Sequence, residues 1–227
     1  METKLNIPQI KICGITSPEQ AAQCADLGAD AIGCVFFEKS PRHLTDEQAR
    51  DICAAVAGKV QTVGVFVNAS YETIMERVGF CGLSCVQLHG AESPELVTRL
   101  RRQGLIVIKA LFGSKTPGLD TAPLYSAASA LLAECGSGVL PGGNAETWNW
   151  SGARPVARHG PLVLAGGLSP GNVSDAVLAA MPDAADVSSG VEASPGIKDM
   201  KKVAAFITTV RQLFSQHTPD RILRRIF

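Results

Sequence analysis

The sequence predicts an α/β fold, a single-domain (β/α)8 TIM barrel, from three observations. Apolar runs rich in β-branched residues alternate with longer helical patterns along the 227 residues, as is typical of βα units around a parallel sheet. Eight such runs occur, and no linker composition divides them. Each unit takes about 25–30 residues, so the chain length fits a closed barrel better than an open sheet.

The predicted strands are short apolar runs bounded by turn residues. In chain order they are Gln9–Cys13, Ala31–Phe36, Gln61–Val67, Cys85–Leu88, Ile106–Leu111, Ala130–Glu134, Leu162–Ala165 and Ala185–Val187. Helices are predicted after six of them, at Pro18–Leu27, Asp46–Ala57, Tyr71–Val78, Pro94–Gln103, Gly171–Ala180 and Ile197–Phe214. We expect residues 1–227 to form this one domain, with residues 213–227 as a solvated C-terminal tail.

Local signals mark several helix ends. Ser17-Pro18 and Ser93-Pro94 each put a proline at the first helical position, where its missing N–H costs nothing. Gly28, Gly79 and Gly104 are predicted to close three helices as C-cap glycines.

Composition limits the classes of function. Lys plus Arg equals Asp plus Glu at 21 each, which argues against a general nucleic-acid or membrane-surface binder and leaves local anion sites open. No apolar run approaches the ~18 residues that span a bilayer, and the N-terminus is too polar for a signal peptide. Seven scattered cysteines predict reduced thiols in the cytoplasm. No second pair stands at zinc-ligand spacing from Cys81 and Cys85, so we expect no structural metal.

Two late loops are candidates for binding a phosphate. Gly166-Gly167 follows the seventh strand, and Ser188-Ser189-Gly190 follows the eighth. Glycines let backbone amides approach an anion closely, and barrels frequently hold phosphate after these two strands. A tight strand-to-helix turn would explain Gly166-Gly167 alone, so the prediction depends on both loops together.

Polar residues at other strand ends would meet at the same rim. Cys13 ends the first strand and is a candidate acid, base or nucleophile, although a free cysteine more often packs as a small apolar residue. The other predicted rim residues are Arg42, Asn68, His89, Glu92, Lys109, Glu134 and Asp186. Lys109 and Asp186 could instead form a buried ion pair, and His89 could simply cap a helix.

Several motifs together resemble the phosphoribosylanthranilate isomerase family of tryptophan biosynthesis. The resemblance covers about residues 9–210, and its most distinctive part is Lys11-Ile12-Cys13-Gly14. The other matching motifs are Ser40-Pro41-Arg42, Val63-Gly64-Val65-Phe66-Val67-Asn68, Val86-Gln87-Leu88-His89-Gly90, Leu164-Ala165-Gly166-Gly167-Leu168, Asp186-Val187-Ser188-Ser189-Gly190-Val191-Glu192 and Pro195-Gly196-Ile197-Lys198-Asp199.

The resemblance implies an Amadori rearrangement of a phosphorylated small molecule without metal or organic cofactor. It implies that Cys13 is the general base and that the general acid ends the sixth strand. The family has Asp there, whereas this chain has Glu134, and Gly142-Gly143-Asn144-Ala145 replaces the usual following turn. We expect Lys11 or Lys109 to favour the thiolate form of Cys13.

The remaining roles also follow from the matched motifs. Lys11, Arg42, His89 and Asp186 would contact substrate, and phosphate would bind at Gly166, Gly167, Ser188, Ser189 and Gly190. The chain would act as a monomer or homodimer.

Two alternatives stay open. One is another phosphosugar barrel enzyme, such as a ribulose-phosphate epimerase or an indole-glycerol-phosphate synthase. The first would need a His-rich metal shell that four sparse histidines do not provide, and the second would use Lys109 and leave Cys13 idle. The other alternative is a non-catalytic phosphosugar-binding barrel.

Overall fold

Eight parallel strands close into a barrel in the computed structural model, which describes residues 7–136, 147–216 and 222–227. The strands follow one another in chain order around the barrel, and the last pairs with the first. They are β1 Gln9–Cys13, β2 Ala31–Phe36, β3 Gln61–Phe66, β4 Cys85–Leu88, β5 Ile106–Phe112, β6 Ala130–Glu134, β7 Leu162–Leu164 and β8 Ala184–Val187. The predicted fold class is confirmed, and the predicted strand bounds differ from these by at most one residue.

Helices cover the barrel and pack their apolar faces on the outer side of the strands. The α-helices are α1 Pro18–Asp26, α2 Asp46–Ala55, α3 Tyr71–Cys81, α4 Pro94–Arg101, α5 Val173–Ala180 and α6 Met200–Gln216. Short 3-10 helices at Leu119–Tyr125 and Trp150–Arg158 follow β5 and β6. Each contains a proline, which lacks the N–H needed to extend a regular helix.

Some predicted helix ends are wrong. Gly79 lies inside α3, and the left-handed C-cap of that helix is Gly82, with φ of 69°. The segment predicted to start the last helix at Ile197 instead forms β10 Ile197–Lys198, which pairs with β9 Glu192–Ser194. Pro18 and Pro94 begin α1 and α4 as predicted. Ser17 and Ser93 cap these helices, each accepting a hydrogen bond from a backbone amide three residues on.

Side chains alternate between the inside and the outside of the barrel, because successive residues of a strand point to opposite faces. The inner cluster takes alternate residues from the strands, for example Val63, Cys85, Ile108 and Ala110. Lys109 therefore faces outward, where it binds Glu92. The same alternation brings Cys13, Glu134 and Asp186 to the inner side at the carboxyl ends of their strands.

Residues 222–227 close the opposite end of the barrel, so the prediction of a solvated tail is wrong for this segment. Ile226 and Phe227 are buried in the inner apolar cluster. The Gln9 amide accepts from the backbone N–H groups of both and donates to the carbonyl of Phe227. Arg224 forms an ion pair of 2.9 Å with Asp183. Within the described residues, no helix has both the length and the apolar character to cross a membrane.

Candidate active site

A cleft with about 760 Å³ of empty volume opens at the carboxyl ends of the strands. All the predicted site residues except Lys11 and Gly190 line it. The lining residues are Cys13, Val35, Phe37, Ser40, Arg42, Val65, Val67, Gln87, His89, Glu134, Ala165, Gly166, Gly167, Leu168, Asp186, Val187, Ser188 and Ser189. Apolar walls with a few convergent polar groups are typical of a small-molecule site.

Cys13 reaches the cleft from the end of β1 and is 9% exposed. Its side chain packs with Val35 and Val65. The neighbouring residue on β2 is Gly33, where an added Cβ would lie 2.7 Å from Cys13 Sγ and 3.2 Å from Lys11 Nζ. A glycine is needed here because any larger residue would displace the thiol and the ammonium group.

Lys11 lies one inward-facing position below Cys13 and is completely buried. Its Nζ is 3.0 Å from each carboxylate oxygen of Asp186. Burial disfavours the ammonium ion, but the interactions with Asp186 and Cys13 together outweigh it and raise the pKa of Lys11 overall. The prediction that Lys11 contacts substrate does not fit this position, because the side chain lies under the floor of the cleft.

The predicted Lys109–Asp186 pair does not form. Lys109 Nζ is 2.9 Å from Glu92 and also donates to the carbonyls of Leu88 and Gly90. Glu92 in turn accepts from the amides of Asn68 and Gly90. This buried ion pair braces the loop that follows β4, outside the cleft.

Lys11 favours the thiolate form of Cys13 as predicted, but this attraction does not set the overall direction of the shift. Burial raises the pKa of the Cys13 thiol, and the opposing attraction of Lys11 is reduced by the nearby charge of Asp186. Lys109 is absent from the groups that shift it. Cys13 is therefore a protonated thiol at neutral pH when the site is empty.

Three side chains on the wall opposite form a hydrogen-bonded row. Gln87 Nε2 is 2.8 Å from His89 Nδ1, and His89 Nε2 is 2.8 Å from Glu134 Oε2. Gln87, His89 and Glu134 are all buried, so the row is shielded from bulk water. His89 therefore orients the carboxyl of Glu134, a partnership that the spacing of the residues in the sequence did not reveal.

Arg42 is held by a buried ionic cluster behind the cleft. Its Nε and Nη2 each donate to Glu192 at 2.7 Å, and Lys198 Nζ is also 2.7 Å from Glu192. Burial disfavours the charged carboxylate, but these two cations lower the pKa of Glu192 overall. The third guanidinium nitrogen of Arg42, Nη1, has no acceptor among the described residues. Arg42 can therefore offer a donor to an anionic or aromatic ligand group.

Gly166 and Gly167 form a turn whose amides are available to a ligand. Both have positive φ, 86° and 69°, which glycine adopts without steric cost. Their carbonyls are occupied, since Trp150 donates to Gly166 and Asn172 donates to Gly167. Within the described part of the chain, their two amides have no acceptor. Consecutive free amides of this kind form an anion-binding concavity.

Ser188 and Ser189 face this turn across the cleft, beside a buried cation. Lys198 Nζ is 3.2 Å from the carbonyl oxygen and 3.5 Å from the hydroxyl of Ser188. Gly190 does not line the cleft; it packs so closely on the carbonyl oxygen of Leu168 that no Cβ would fit. Its predicted contact with phosphate is therefore not supported by its position.

Four residues of the site were not predicted from the sequence. Gly33, Gln87, Glu192 and Lys198 belong to the site through contacts that only the closed barrel creates. Three of them, Gln87, Glu192 and Lys198, stand within motifs quoted for the resemblance, and those motifs were the signal that could have identified them. The turn at residues 142–145 lies outside the described residues. In the parts of the chain that are described, no three or more His, Cys, Asp or Glu side chains are grouped to hold a metal ion.

Comparison with known proteins agrees with this geometry. Residues 10–209 match the family model described as N-(5'phosphoribosyl)anthranilate (PRA) isomerase. The N-(5'-phosphoribosyl)anthranilate isomerase of Desulfatibacillum aliphaticivorans is 52% identical over 94% of this chain and 98% of that protein. That of Geobacter metallireducens is 45% identical over 88% of this chain and 96% of that protein.

Solved structures show the same relationship. The phosphoribosyl anthranilate isomerase of Thermotoga maritima superposes with a TM-score of 0.83 and 39% identity, over 91% of this chain and 100% of that one. A phosphoribosyl anthranilate isomerase structure in complex with reduced 1-(o-carboxyphenylamino)-1-deoxyribulose 5-phosphate superposes with a TM-score of 0.80 and 38% identity, over the same shares. This chain therefore belongs to the N-(5'-phosphoribosyl)anthranilate isomerase family.

Proposed function

We propose that this protein converts N-(5-phosphoribosyl)anthranilate to 1-(2-carboxyphenylamino)-1-deoxyribulose 5-phosphate in tryptophan biosynthesis. The observation that carries the proposal is one cleft lined by a thiol, a carboxyl group and a turn of free glycine amides. An Amadori rearrangement needs these three elements: a base, an acid and an anchor for the phosphate.

The phosphate of the substrate binds at the glycine turn and the facing serines. Gly166 and Gly167 supply free amides, Ser188 supplies a hydroxyl, and Lys198 adds positive charge beside that serine. Anchoring one end of the sugar brings its ring between the two walls of the cleft, and such positioning supplies much of the rate of an enzyme.

Ring opening is the first chemical step. The carboxylic acid form of Glu134 donates a proton to the ring oxygen as the bond from C1 to that oxygen breaks. The nitrogen lone pair forms a C=N bond, giving a protonated imine conjugated with the anthranilate ring. The imine makes the proton on C2 acidic, because the electron pair left by its removal can delocalise onto nitrogen.

Proton removal from C2 is the second step, and Cys13 is the base. The electron pair of the C2–H bond forms a C1=C2 double bond as the π pair of C=N moves onto nitrogen. The resulting enolamine takes a proton at C1 and loses the proton of its 2-hydroxyl to become the ketone. The raised pKa of Cys13 makes its thiolate a stronger base once formed, while only a small fraction is thiolate at neutral pH.

The anthranilate end of the substrate has a matching partner. Arg42 lines the cleft, and Glu192 fixes the guanidinium plane by a bidentate contact. A guanidinium group held in this way pairs with a carboxylate or stacks on an aromatic ring. We assign Arg42 to the carboxylate-bearing ring of the substrate.

Glu134 in place of Asp lengthens the acid by one methylene, which moves a carboxyl by on the order of 1 Å. The hydrogen bond from His89 to Glu134 fixes the longer side chain. This contact supports Glu134 as the acid, because it restrains the added freedom of the side chain.

The test is turnover of freshly generated phosphoribosylanthranilate, followed by loss of its fluorescence. We expect rapid loss with the native protein. Cys13→Ser should retain binding of a product analogue and lose most of kcat, since a serine hydroxyl is a far weaker base. Binding of the analogue without turnover by the native protein would identify a non-catalytic phosphosugar-binding barrel instead.

The proposal extends to the oligomeric state and the cellular location of the protein. One solved relative is described as monomers derived from the dimeric Thermotoga maritima enzyme, and we propose a monomer or homodimer here. Analytical ultracentrifugation at micromolar concentration tests this. A cytoplasmic location, predicted from the seven cysteines, is checked by cell fractionation.

A further inference from the structure

Gln87 is a buried polar residue between apolar residues of the two adjoining strands. It is 1% exposed, and its strand neighbours in register are Val65 and Ile108. Burying an amide is unfavourable unless its polar atoms are hydrogen-bonded. Its Nε2 bonds to His89, whereas Oε1 is buried without a partner among the described residues.

With its nitrogen 2.8 Å from His89 Nδ1, the amide of Gln87 favours a ring proton on Nε2 of His89. Nε2 of an amide has only N–H groups to offer, so His89 Nδ1 must accept. The proton of the neutral imidazole is then on Nε2, which lies 2.8 Å from Glu134 Oε2. His89 therefore donates to Oε2, and the other oxygen of Glu134 is left to carry a transferable proton.

We infer that Gln87 is a positioning residue that holds His89 in its neutral Nε2–H form and so keeps Glu134 able to act as the acid. This inference rests on the proposed function. If Nδ1 also gained a proton, His89 would become an imidazolium ion and would favour the ionised carboxylate, which cannot donate. The N–H groups of Gln87 face Nδ1 and oppose that second proton.

The other charged groups that line the cleft do not form hydrogen bonds with His89 or Glu134. Cys13, Arg42 and Asp186 are the other titratable groups in the lining, and none is hydrogen-bonded to His89 or Glu134. Asp186 is engaged by Lys11, and Arg42 by Glu192. The protonation of the His89–Glu134 pair therefore depends on Gln87 more directly than on any of these.

The first arm of the test is nitrogen NMR of the native protein labelled in its four histidines, with the His89 signals assigned by their loss in His89→Asn. We expect protonated Nε2 and unprotonated Nδ1 at neutral pH, with a product analogue bound. An Nδ1–H tautomer or an imidazolium ion in that complex would overturn the inference, whether or not the protein turns over substrate.

The second arm uses Gln87→Glu, which keeps the size of the side chain and puts a carboxylate against Nδ1. This variant should convert His89 to imidazolium at pH 7 and lower kcat about 100-fold, within the range that general acids contribute. KM should change little. Gln87→Met, which neither donates to Nδ1 nor attracts a proton there, should lose less of kcat than Gln87→Glu.

A double variant separates positioning from a general structural effect. If Gln87 acts through Glu134, adding Gln87→Glu to Glu134→Gln should cost almost nothing further in kcat, since interacting residues are non-additive. Fully additive losses would contradict the inference. Absence of turnover in the native protein would instead count against the proposed function, and the NMR arm would still report on Gln87.

Discussion

Lys11 Nζ lies 3.0 Å from both carboxylate oxygens of Asp186, and the two residues are register partners on β1 and β8. The pair stands directly below Cys13. Asp186 offsets part of the attraction by which Lys11 stabilises a thiolate, and burial sets the direction in which the pKa of Cys13 shifts. Cys13 is therefore mostly protonated at neutral pH, and its thiolate is a strong base.

The pH dependence of Cys13 follows from this pair. Because burial raises the pKa of the thiol above its ordinary value of about 8.5, the thiolate fraction of Cys13 and its rate of alkylation should still be rising with pH at that value. Alkylation by iodoacetamide, with Cys13→Ser as the control for the other cysteines, measures the thiol directly. Half-maximal alkylation of Cys13 below pH 8 would contradict this account.

Glu192 should matter for both stability and substrate binding. Glu192→Gln leaves Arg42 and Lys198 with uncompensated buried charge, and the free energy of unfolding should fall by about 3–5 kcal/mol. KM should rise because Arg42 loses its bidentate partner. Urea unfolding and steady-state kinetics measure the two effects.

The exposed pair Arg50–Asp51 provides the control for Glu192. Asp51→Asn should change stability by less than about 1 kcal/mol. Contact with the two cations lowers the pKa of Glu192 in the folded protein, so its contribution is present above the unfolded pKa of about 4.3 and is lost as pH falls through the folded pKa. An equal stability gap between native and Glu192→Gln proteins at pH 7 and pH 3 would refute this.

Gly33 should be required for catalysis. In Gly33→Ala the new Cβ would lie 2.7 Å from Cys13 Sγ, so the thiol must move. A displacement near 1 Å can cost about 100-fold in rate. Gly79→Ala is the matched control, since nothing lies within 4 Å of its added Cβ and alanine favours a helix by about 1 kcal/mol over glycine. Equal kcat for native and Gly33→Ala proteins would remove Gly33 from the site.

The segment at residues 222–227 should stabilise the barrel without affecting the chemistry. Phe227→Ala removes a ring buried in the inner cluster and should cost about 3–5 kcal/mol of unfolding free energy. Ile222→Ala, at a side chain 63% exposed, should cost less than about 0.5 kcal/mol. At temperatures where both variants are folded, kcat should match the native value, because the segment lies at the other end of the barrel from the cleft.

Much of the architecture could be predicted from the sequence because the signals are local. Apolar runs marked every barrel strand, and serine–proline pairs marked two helix starts. Residues that end strands, such as Cys13 and Glu134, were predicted to share a rim because parallel strands end on one side.

What the sequence could not show depends on contacts between distant residues. Lys109 was assigned to the rim, although the inward direction of Ile108 and Ala110 turns it outside. The ion pair of Lys11 with Asp186 joins residues 175 positions apart, so its effect on the pKa of Cys13 was invisible. Residues 222–227 looked solvated because they end the sequence and include two arginines, although Ile226 and Phe227 are buried.

The most direct test of the central claim is kcat for phosphoribosylanthranilate in Glu134→Gln. The amide keeps the size of the side chain and has no acidic proton, so kcat should fall by about 10²–10⁴, with Glu134→Asp retaining more activity because it keeps a carboxyl group. An unchanged kcat in Glu134→Gln would show that the proton for ring opening comes from another group.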